Sequence, residues 1–330
     1  MINYITYVIL SFLILIFFSK ISYRLNLLDI PNKRKNHLVP TPYTGGLAIG
    51  FIYIAGILLF NFKSEELNLI LSISFLITIV GFIDDRYELG TGTKLSLQII
   101  PIIYLIIIKD LSLIQIGYYN YFNLNLNSFS VPFTILSVIF LINSFNYFDG
   151  LDGTLSFTSI SVLAILYFAI PDESIKKFLV IIFIPLMFFL CFNFSILKLP
   201  KLFLGDSGSL LIGFIIAFTL IYLANEEVLH PILIAWSVVI FVYEFISINL
   251  IRLINKQALF KADRDHLHHI IHDRTGSVFL TNFLITTLNI FLFIIGYASF
   301  KISPVVSLFL FIVAFIVFLI FRNNFKKKYK

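Results

Sequence analysis

Cysteine is almost missing from this chain. Cys191 stands alone among 330 residues, which excludes an intrachain disulfide and argues against redox chemistry. Charge is scarce as well: Asp, Glu, Lys and Arg make up only 13% against 59% hydrophobic residues, a balance that excludes an ordinary soluble globular protein. No basic residue precedes the first apolar run, 2–19, whereas Lys20 and Arg24 follow it. That order does not suit a secretory signal peptide and reads as a retained transmembrane helix with its N-terminus outside. No repeat of fixed period and no Pro/Gly/Ser-rich linker divides the chain, so one membrane domain is expected over residues 1–330.

What the chain has in abundance is apolar runs. A membrane-spanning helix needs about 20 residues, and eleven candidate spans can be placed: 2–19, 44–61, 68–83, 94–109, 131–148, 154–170, 178–194, 207–224, 230–253, 278–298 and 303–321. The expected fold is all-α, a polytopic integral membrane protein of eleven helices. Basic residues test that count. With the N-terminus outside, the cytosolic segments carry 19 of the 24 Lys and Arg, from Lys20, Arg24, Lys33, Arg34 and Lys35 to the tail beyond Phe321. Lys63, Lys109, Lys176, Lys177 and Lys301 are left outside. Such a bias predicts a cytosolic C-terminus.

The outer loops are bland. Their paired acids, Glu65-Glu66, Asp172-Glu173 and Glu226-Glu227, read as helix caps and turns. Only 110–130 is longer; its alternating Asn123, Leu124, Asn125, Leu126 and Asn127 have the period of a short strand or hairpin, and Tyr118, Tyr119 and Tyr121 suit a membrane interface.

The polar clusters fall on the inner side. The fullest is 143–153, Asn-Ser-Phe-Asn-Tyr-Phe-Asp-Gly-Leu-Asp-Gly, directly after an apolar run. An uncompensated carboxylate in a bilayer costs about 2.5–3.5 kcal/mol, so Asp149 and Asp152 are expected at a surface facing something that needs them. At about 100° per helical residue, Asn143, Asn146, Asp149 and Asp152 would spread over half the circumference and line a cleft. Gly150 and Gly153 would let the backbone turn or approach a ligand.

Three further clusters accompany it. Asp84-Asp85-Arg86 closes the third run; adjacent carboxylates repel unless a cation, a proton or Arg86 intervenes, so they suit a metal or phosphate chemistry, with a capping turn as the plain alternative. Gly205-Asp206-Ser207-Gly208-Ser209 opens a helix and reads either as an N-cap or as a hard-metal site. Asp263-Arg264-Asp265-His266-Leu267-His268-His269 holds three of the chain's six histidines, suited to zinc or to hydrogen bonding a phosphate, with a solvated loop as the alternative. Ahead of all of them, the basic 29–37 loop and Pro40-Thr41-Pro42-Tyr43-Thr44-Gly45-Gly46 could bind an anion at a helix start, or form an ordinary positive loop. Glu244 is the one acid well inside a predicted span, a functional candidate by default, with Arg252 two turns on as its expected partner.

In that order, these motifs resemble the polyprenyl-phosphate N-acetylhexosamine-1-phosphate transferases, glycosyltransferase family 4. The resemblance runs from about residue 29 to 269 and rests on all four motifs together. It implies transfer of a sugar-1-phosphate from a UDP-N-acetylhexosamine to undecaprenyl phosphate, with release of UMP, in a bacterial cytoplasmic membrane. It also implies Mg²⁺, with Mn²⁺ able to substitute, because polyanions must meet. By resemblance, Asp206 with Asp149 would hold the metal, and Asp84 and Asp85 would face the lipid phosphate, one of them taking its proton. Asp149, Asp152 and His266 complete the implied catalytic set. Lys33, Thr41, Asn146, Asn193, Phe203, Arg264, His268 and His269 would bind substrate. The His-x-His-His form is similar to that of enzymes transferring GlcNAc-1-phosphate at the start of O-antigen, enterobacterial common antigen or teichoic acid synthesis. Glu88, Glu244 and Tyr43 depart from the common pattern and bear on sugar preference. Membrane lipids are the other expected partners, nucleic acid is not, and a homodimer is compatible with the sequence. Rival readings are another UDP-N-acetylhexosamine as donor, and a cation- or proton-coupled transporter, which many spans and Glu244 would suit.

Overall fold

The computed structural model describes residues 2–31, 39–120, 122–257 and 265–327. Its elements, in chain order, are α1 (Ile2–Arg24), β1 (Leu28–Asp29), β2 (Thr41–Pro42), α2 (Gly45–Phe60), α3 (Glu65–Tyr87), α4 (Thr91–Lys109), β3 (Gln115–Tyr119) and β4 (Phe122–Asn125). There follow α5 (Ser130–Phe148), α6 (Thr154–Ala169), α7 (Glu173–Asn193), α8 (Gly205–Asn225), α9 (Pro231–Ser237), α10 (Val239–Ile254), α11 (Leu267–Thr275), α12 (Val278–Ile302) and α13 (Pro304–Lys327). The expected helical membrane protein is what is seen. All eleven apolar runs are helical, but the count of spans is lower. Among the described residues eight helices are long and apolar enough to cross a bilayer, or nine if α9 and α10 make one broken span. The two shortfalls are α2 and α6: 16 residues each give a rod of only about 24 Å, short of a hydrocarbon core of about 30 Å.

The acids expected to cap helices do so in part. Ser64 accepts Leu67 N–H at 3.2 Å and is followed by Glu65 and Glu66 in the first turn of α3. Asp172 accepts Ile175 N–H at 2.8 Å ahead of α7. Glu65 also pairs with Lys109 at the end of α4. The predicted hairpin is β3 with β4, antiparallel, with Tyr119 opposite Phe122. Residue 121 lies outside the described residues.

Two compact units divide the chain. The first comprises Met1–Leu111 and Pro171–Thr219, the second Ser112–Ile170 and Leu220–Lys330. In the first unit, buried tyrosines repair a proline. Pro185 lies inside α7 and has no N–H to give the carbonyl of Ile181 four residues back. Tyr7 donates its hydroxyl to Ile181 O at 3.0 Å, and Tyr53 donates to Ile182 O at 3.0 Å. In an apolar medium such repair is obligatory, because no water can take the orphaned group.

The second unit repairs a larger fault. α9 and α10 meet at Val238 with a bend of 76°, which interrupts the backbone ladder. Asn289 of α12 spans the gap: its Nδ2 donates to Ser237 O at 3.2 Å and to Ser161 Oγ at 3.0 Å, and its Oδ1 accepts from Ile240 N–H at 3.4 Å. Trp236 lies against Gly296, where any Cβ would come within 2.3 Å of the indole, and donates Nε1–H to Ser307 Oγ at 3.0 Å. Asn289→Leu should therefore lower stability in detergent by about 1–3 kcal/mol, the cost of buried groups left unpaired. Denaturant titration of the purified protein checks this, and Asn289→Gln should lose less.

Candidate active site

In the first unit three helix ends meet around carboxylates. α8 begins at Gly205, whose φ of +73° is unfavourable for any side chain, and whose Cβ would stand 2.6 Å from Asp85 Oδ2. Asp85, in the last turn of α3, fills that space with purpose. Its Oδ1 accepts Asp206 N–H at 2.8 Å and its Oδ2 accepts Ser207 N–H at 3.0 Å. These are the orphan donors of a helix start, where the macrodipole also favours an anion. The cap expected at this motif is thus present, but Asp85 supplies it from another helix, and Asp206 is left to face elsewhere. Gly81, one turn earlier, lets α3 reach the same backbone, since a Cβ there would lie 2.4 Å from Ser207 Cα.

Asp84 points to a different partner. It is 7% exposed; its Oδ1 accepts Leu89 N–H at 2.8 Å and its Oδ2 lies 2.6 Å from Lys94 Nζ. The same ammonium lies 2.6 Å from Asp206 Oδ2. Lys94 is the residue that sequence reasoning missed. It was visible only as a cation in the first turn of α4, where the helix dipole disfavours positive charge; such a misplaced charge signals an acidic partner. Two carboxylates from separate helices thus converge on one cationic centre. That donor set fits Mg²⁺, which takes one or two protein carboxylates and fills its remaining positions with phosphate oxygens and water. Among the described residues no group of three His, Cys, Asp or Glu side chains gathers as a metal-ligand set, which removes support for zinc on the histidines.

Thr41, Asn193 and Phe203 lie together in this unit. Phe203 N–H donates to Pro42 O at 2.8 Å, and Gly45 N–H and Gly46 N–H return bonds to Phe203 O and Leu204 O at 3.0 and 2.8 Å. Thr41 is buried and donates to Val39 O at 2.9 Å. Asn193, buried at the end of α7, donates Nδ2–H to Leu202 O at 3.0 Å, while its Oδ1 has no hydrogen-bond partner among the described residues. Lys201 Nζ stands 5.3 Å over the Phe203 ring. Lys33 lies outside the described residues, as do Arg34, Lys35 and the rest of 32–38.

The second unit holds the other motifs. α5 ends at Phe148, with Asp149 as its cap donating N–H to Asn146 O at 3.2 Å. The expected half-circumference of four polar groups on one helix therefore stops at Asn146; Asp149 and Asp152 belong to the turn into α6. Asn143 is buried and bonded to Ile139 O at 2.8 Å, so it serves the helix itself. Asn282 of α12 ties the turn down, donating to Asp152 O at 2.8 Å and pairing with Thr154 Oγ1 at 2.6 Å. Gly153 turns the chain, with φ +73°, as expected. Gly150 has a different reason: a Cβ there would stand 2.2 Å from His268 Nε2. The Asp-Gly pair and the histidine motif are parts of one packed arrangement.

His266, His268 and His269 are neighbours. The rings of His266 and His268 are parallel within 3° at 5.5 Å, and those of His268 and His269 are 4.3 Å apart. His266 also meets Tyr147 edge-on at 5.0 Å. His268 is 1% exposed, and neither ring nitrogen has a hydrogen-bond partner among the described residues. Burial, then the neighbouring His269, His266 and His272, hold its pKa well below the ordinary histidine value. The folded state therefore binds fewer protons at this ring than the unfolded chain does. Its stability contribution is present above an unfolded pKa of about 6.5 and is lost as pH falls through that value. The stability difference between wild type and His268→Gln should shrink from pH 7.5 to pH 5.5, measured by thermal unfolding. Gly150→Ala should displace the His268 ring, read as a faster reaction of His268 with diethylpyrocarbonate. Arg264 lies outside the described residues.

Glu244, 1% exposed on α10, is where the sequence expected an interior acid. Its direct partner is Arg322 of α13, with Nε at 3.1 Å from Oε2; Arg252 adds attraction and also donates to the Tyr147 hydroxyl at 3.5 Å.

Comparison with known proteins finds a family match and relatives over most of the chain. A sequence model described as "Glycosyl transferase family 4" matches residues 67–224, the span that holds Asp84, Asp85, Asp149, Asp152 and Asp206. A Yersinia pestis protein named undecaprenyl-phosphate alpha-N-acetylglucosaminyl 1-phosphate transferase is 28% identical over 310 residues, 91% of this chain and 85% of that one. The protein of the same name from Escherichia coli K12 is 27% identical, covering 84% and 77%. A Bacillus subtilis protein named probable undecaprenyl-phosphate N-acetylglucosaminyl 1-phosphate transferase is 28% identical, covering 76% and 71%.

Proposed function

We propose that the chain is a glycosyl transferase family 4 enzyme, as the match over residues 67–224 and the relatives support, and that it transfers GlcNAc-1-phosphate from UDP-GlcNAc to undecaprenyl phosphate. The carrying observation is the convergence of Asp84 and Asp206 on Lys94. In the reaction an oxygen of the lipid phosphate attacks the sugar-bearing phosphorus of UDP-GlcNAc. The bond to the UMP oxygen breaks, leaving undecaprenyl-pyrophosphoryl-GlcNAc and UMP. Both reactants are polyanions, so the barrier is chiefly electrostatic and the site must supply positive charge and position.

Asp84 and Asp206 would hold Mg²⁺, which when bound neutralises phosphate charge. Lys94 supplies a second positive charge at the same place. A phosphate monoester has its second pKa at about 6, so the acceptor is largely dianionic at pH 7 and asks for little proton removal. Asp85, whose two oxygens are occupied by backbone N–H groups, then acts by placing Asp206 rather than as a base. Within the second unit, Asp149, Asp152, Asn146, His266 and His269 are the candidate groups for binding the nucleotide sugar. The charge bias favours a cytosolic site in a bacterial cytoplasmic membrane, with the N-terminus outside.

The transporter reading loses ground to the placement of the acids. Asp84 and Asp85 lie in the last turn of α3, Asp206 in the first turn of α8, and Asp149 just past α5. The broken span is satisfied by Asn289 instead of an acid.

Purified protein with UDP-GlcNAc, undecaprenyl phosphate and Mg²⁺ should release UMP and form the lipid-linked sugar, detected by mass spectrometry. Chelation should stop turnover. Asp206→Ala and Lys94→Met should each lower kcat by about 10²–10³-fold, the scale seen when one preorganised electrostatic group is removed. A panel of UDP-N-acetylhexosamines decides the donor, and solute flux into proteoliposomes without UMP release would overturn the reading.

A further inference from the structure

The lone interior acid makes more contacts than an ion pair requires. Glu244 Oε1 accepts Leu267 N–H at 2.7 Å and lies 3.9 Å from His266 Nδ1, while Oε2 takes Arg322 Nε–H at 3.1 Å. Arg322 then donates Nη2–H to Asp265 O at 2.5 Å. The backbone is thus gripped on both sides of His266, at the carbonyl before it and at the N–H after it.

That N–H needs a partner. Leu267 is the first residue of α11, and the N-cap, His266, makes no side-chain cap bond; the orphan donor of the helix start is answered from α10 instead. His268 and His269 follow within the same first turn. A buried ion pair is a poor source of stability, because desolvation offsets the attraction, whereas it is well suited to fixing one arrangement. Arg322 is 2% exposed and Glu244 1%, so neither side chain gains from solvent.

We propose that Glu244 and Arg322 form a positioning clamp that sets the His266, His268 and His269 segment for phosphate transfer, making the C-terminal helix α13 a working part of the active site. The role in catalysis rests on the transferase reading above; the clamp itself does not. Neither residue touches substrate. They act through the backbone at Asp265 and Leu267.

The test uses full-length protein in detergent and two readouts. One is the diethylpyrocarbonate reaction rate of His266, His268 and His269 by peptide mass spectrometry, with His230 as internal reference. The other is kcat and KM for UMP release. Glu244→Leu combined with Arg322→Met removes both charges of the pair together, while Arg252 keeps its bond to the Tyr147 hydroxyl. In this double variant His268 should react about tenfold faster through local opening. Its kcat should fall about 10²-fold, the cost of an ångström-scale misplacement, with a smaller change in KM. Arg322→Lys keeps the charge opposite Glu244 but cannot hold Asp265 O as well, so it should fall between wild type and the double variant on both readouts. A folded double variant, or a folded Arg322→Lys should the double variant fail to fold, with wild-type His268 reactivity overturns the clamp. If wild type releases no UMP, the transferase reading fails, while the His268 contrast still decides the clamp.

Discussion

Asp85 holds the backbone N–H groups of Asp206 and Ser207 in one carboxylate, and the acidic cluster of the first unit depends on that grip. Partial burial at a helix start favours both sides of the contact: the helix start gains partners for its bare donors, and the half-buried carboxylate gains hydrogen bonds. The geometry leaves little freedom in how this is met. Gly205 must be glycine because Asp85 occupies the space of its side chain, and Gly81 must be glycine because α8 occupies the space of its own. With Asp85 committed to the backbone, Asp84 and Asp206 remain to bring Lys94 between them. Three charged groups of separate helices therefore owe their meeting to a fourth that is fully engaged elsewhere.

The same rule explains the second unit. Asn289 answers the backbone freed at the bend of α9 and α10, Asn282 holds the turn at Asp152, and Glu244 answers the first N–H of α11. Each is a single polar side chain sent across from a neighbouring helix to a main-chain group that its own helix cannot satisfy. Polar residues inside apolar runs of this chain are repairs to backbone faults at least as often as they are groups for chemistry.

Much of this was legible in the sequence, because the clusters announce themselves against an apolar background. Asp84, Asp85, Asp206 and the three histidines could be picked out by type and place, and the hairpin by the alternation around Asn123 and Asn125. What composition could not show is which member of a cluster faces which partner. Asp84 and Asp85 are adjacent and alike, yet one meets an ammonium and the other a helix start; about 100° of helical rotation separates them, and the distinction arises only when α8 is in place. Lys94 was counted as one basic residue among many because a cation at a helix start looks like an ordinary loop charge until its partners, 10 residues before and 112 after in the chain, are known. The number of spans failed for a different reason. Hydropathy reports how apolar a run is, whereas α2 and α6 fall short on length and the α9–α10 run is folded back on a bend that no single residue in it signals.

Gly150 carries the last step. Read from the sequence, a glycine between two carboxylates leaves room for a ligand. In the fold that room is taken by His268, a ring held neutral by burial and by the histidines around it. A neutral, enclosed imidazole is a poor counter-charge for an anion; His268, packed against His266 and His269, is instead the floor on which those two rings rest. A floor of this kind has to be fixed at both edges. The Asp149–Gly150 turn fixes one by contact, and the Leu267 N–H bond to Glu244 fixes the other.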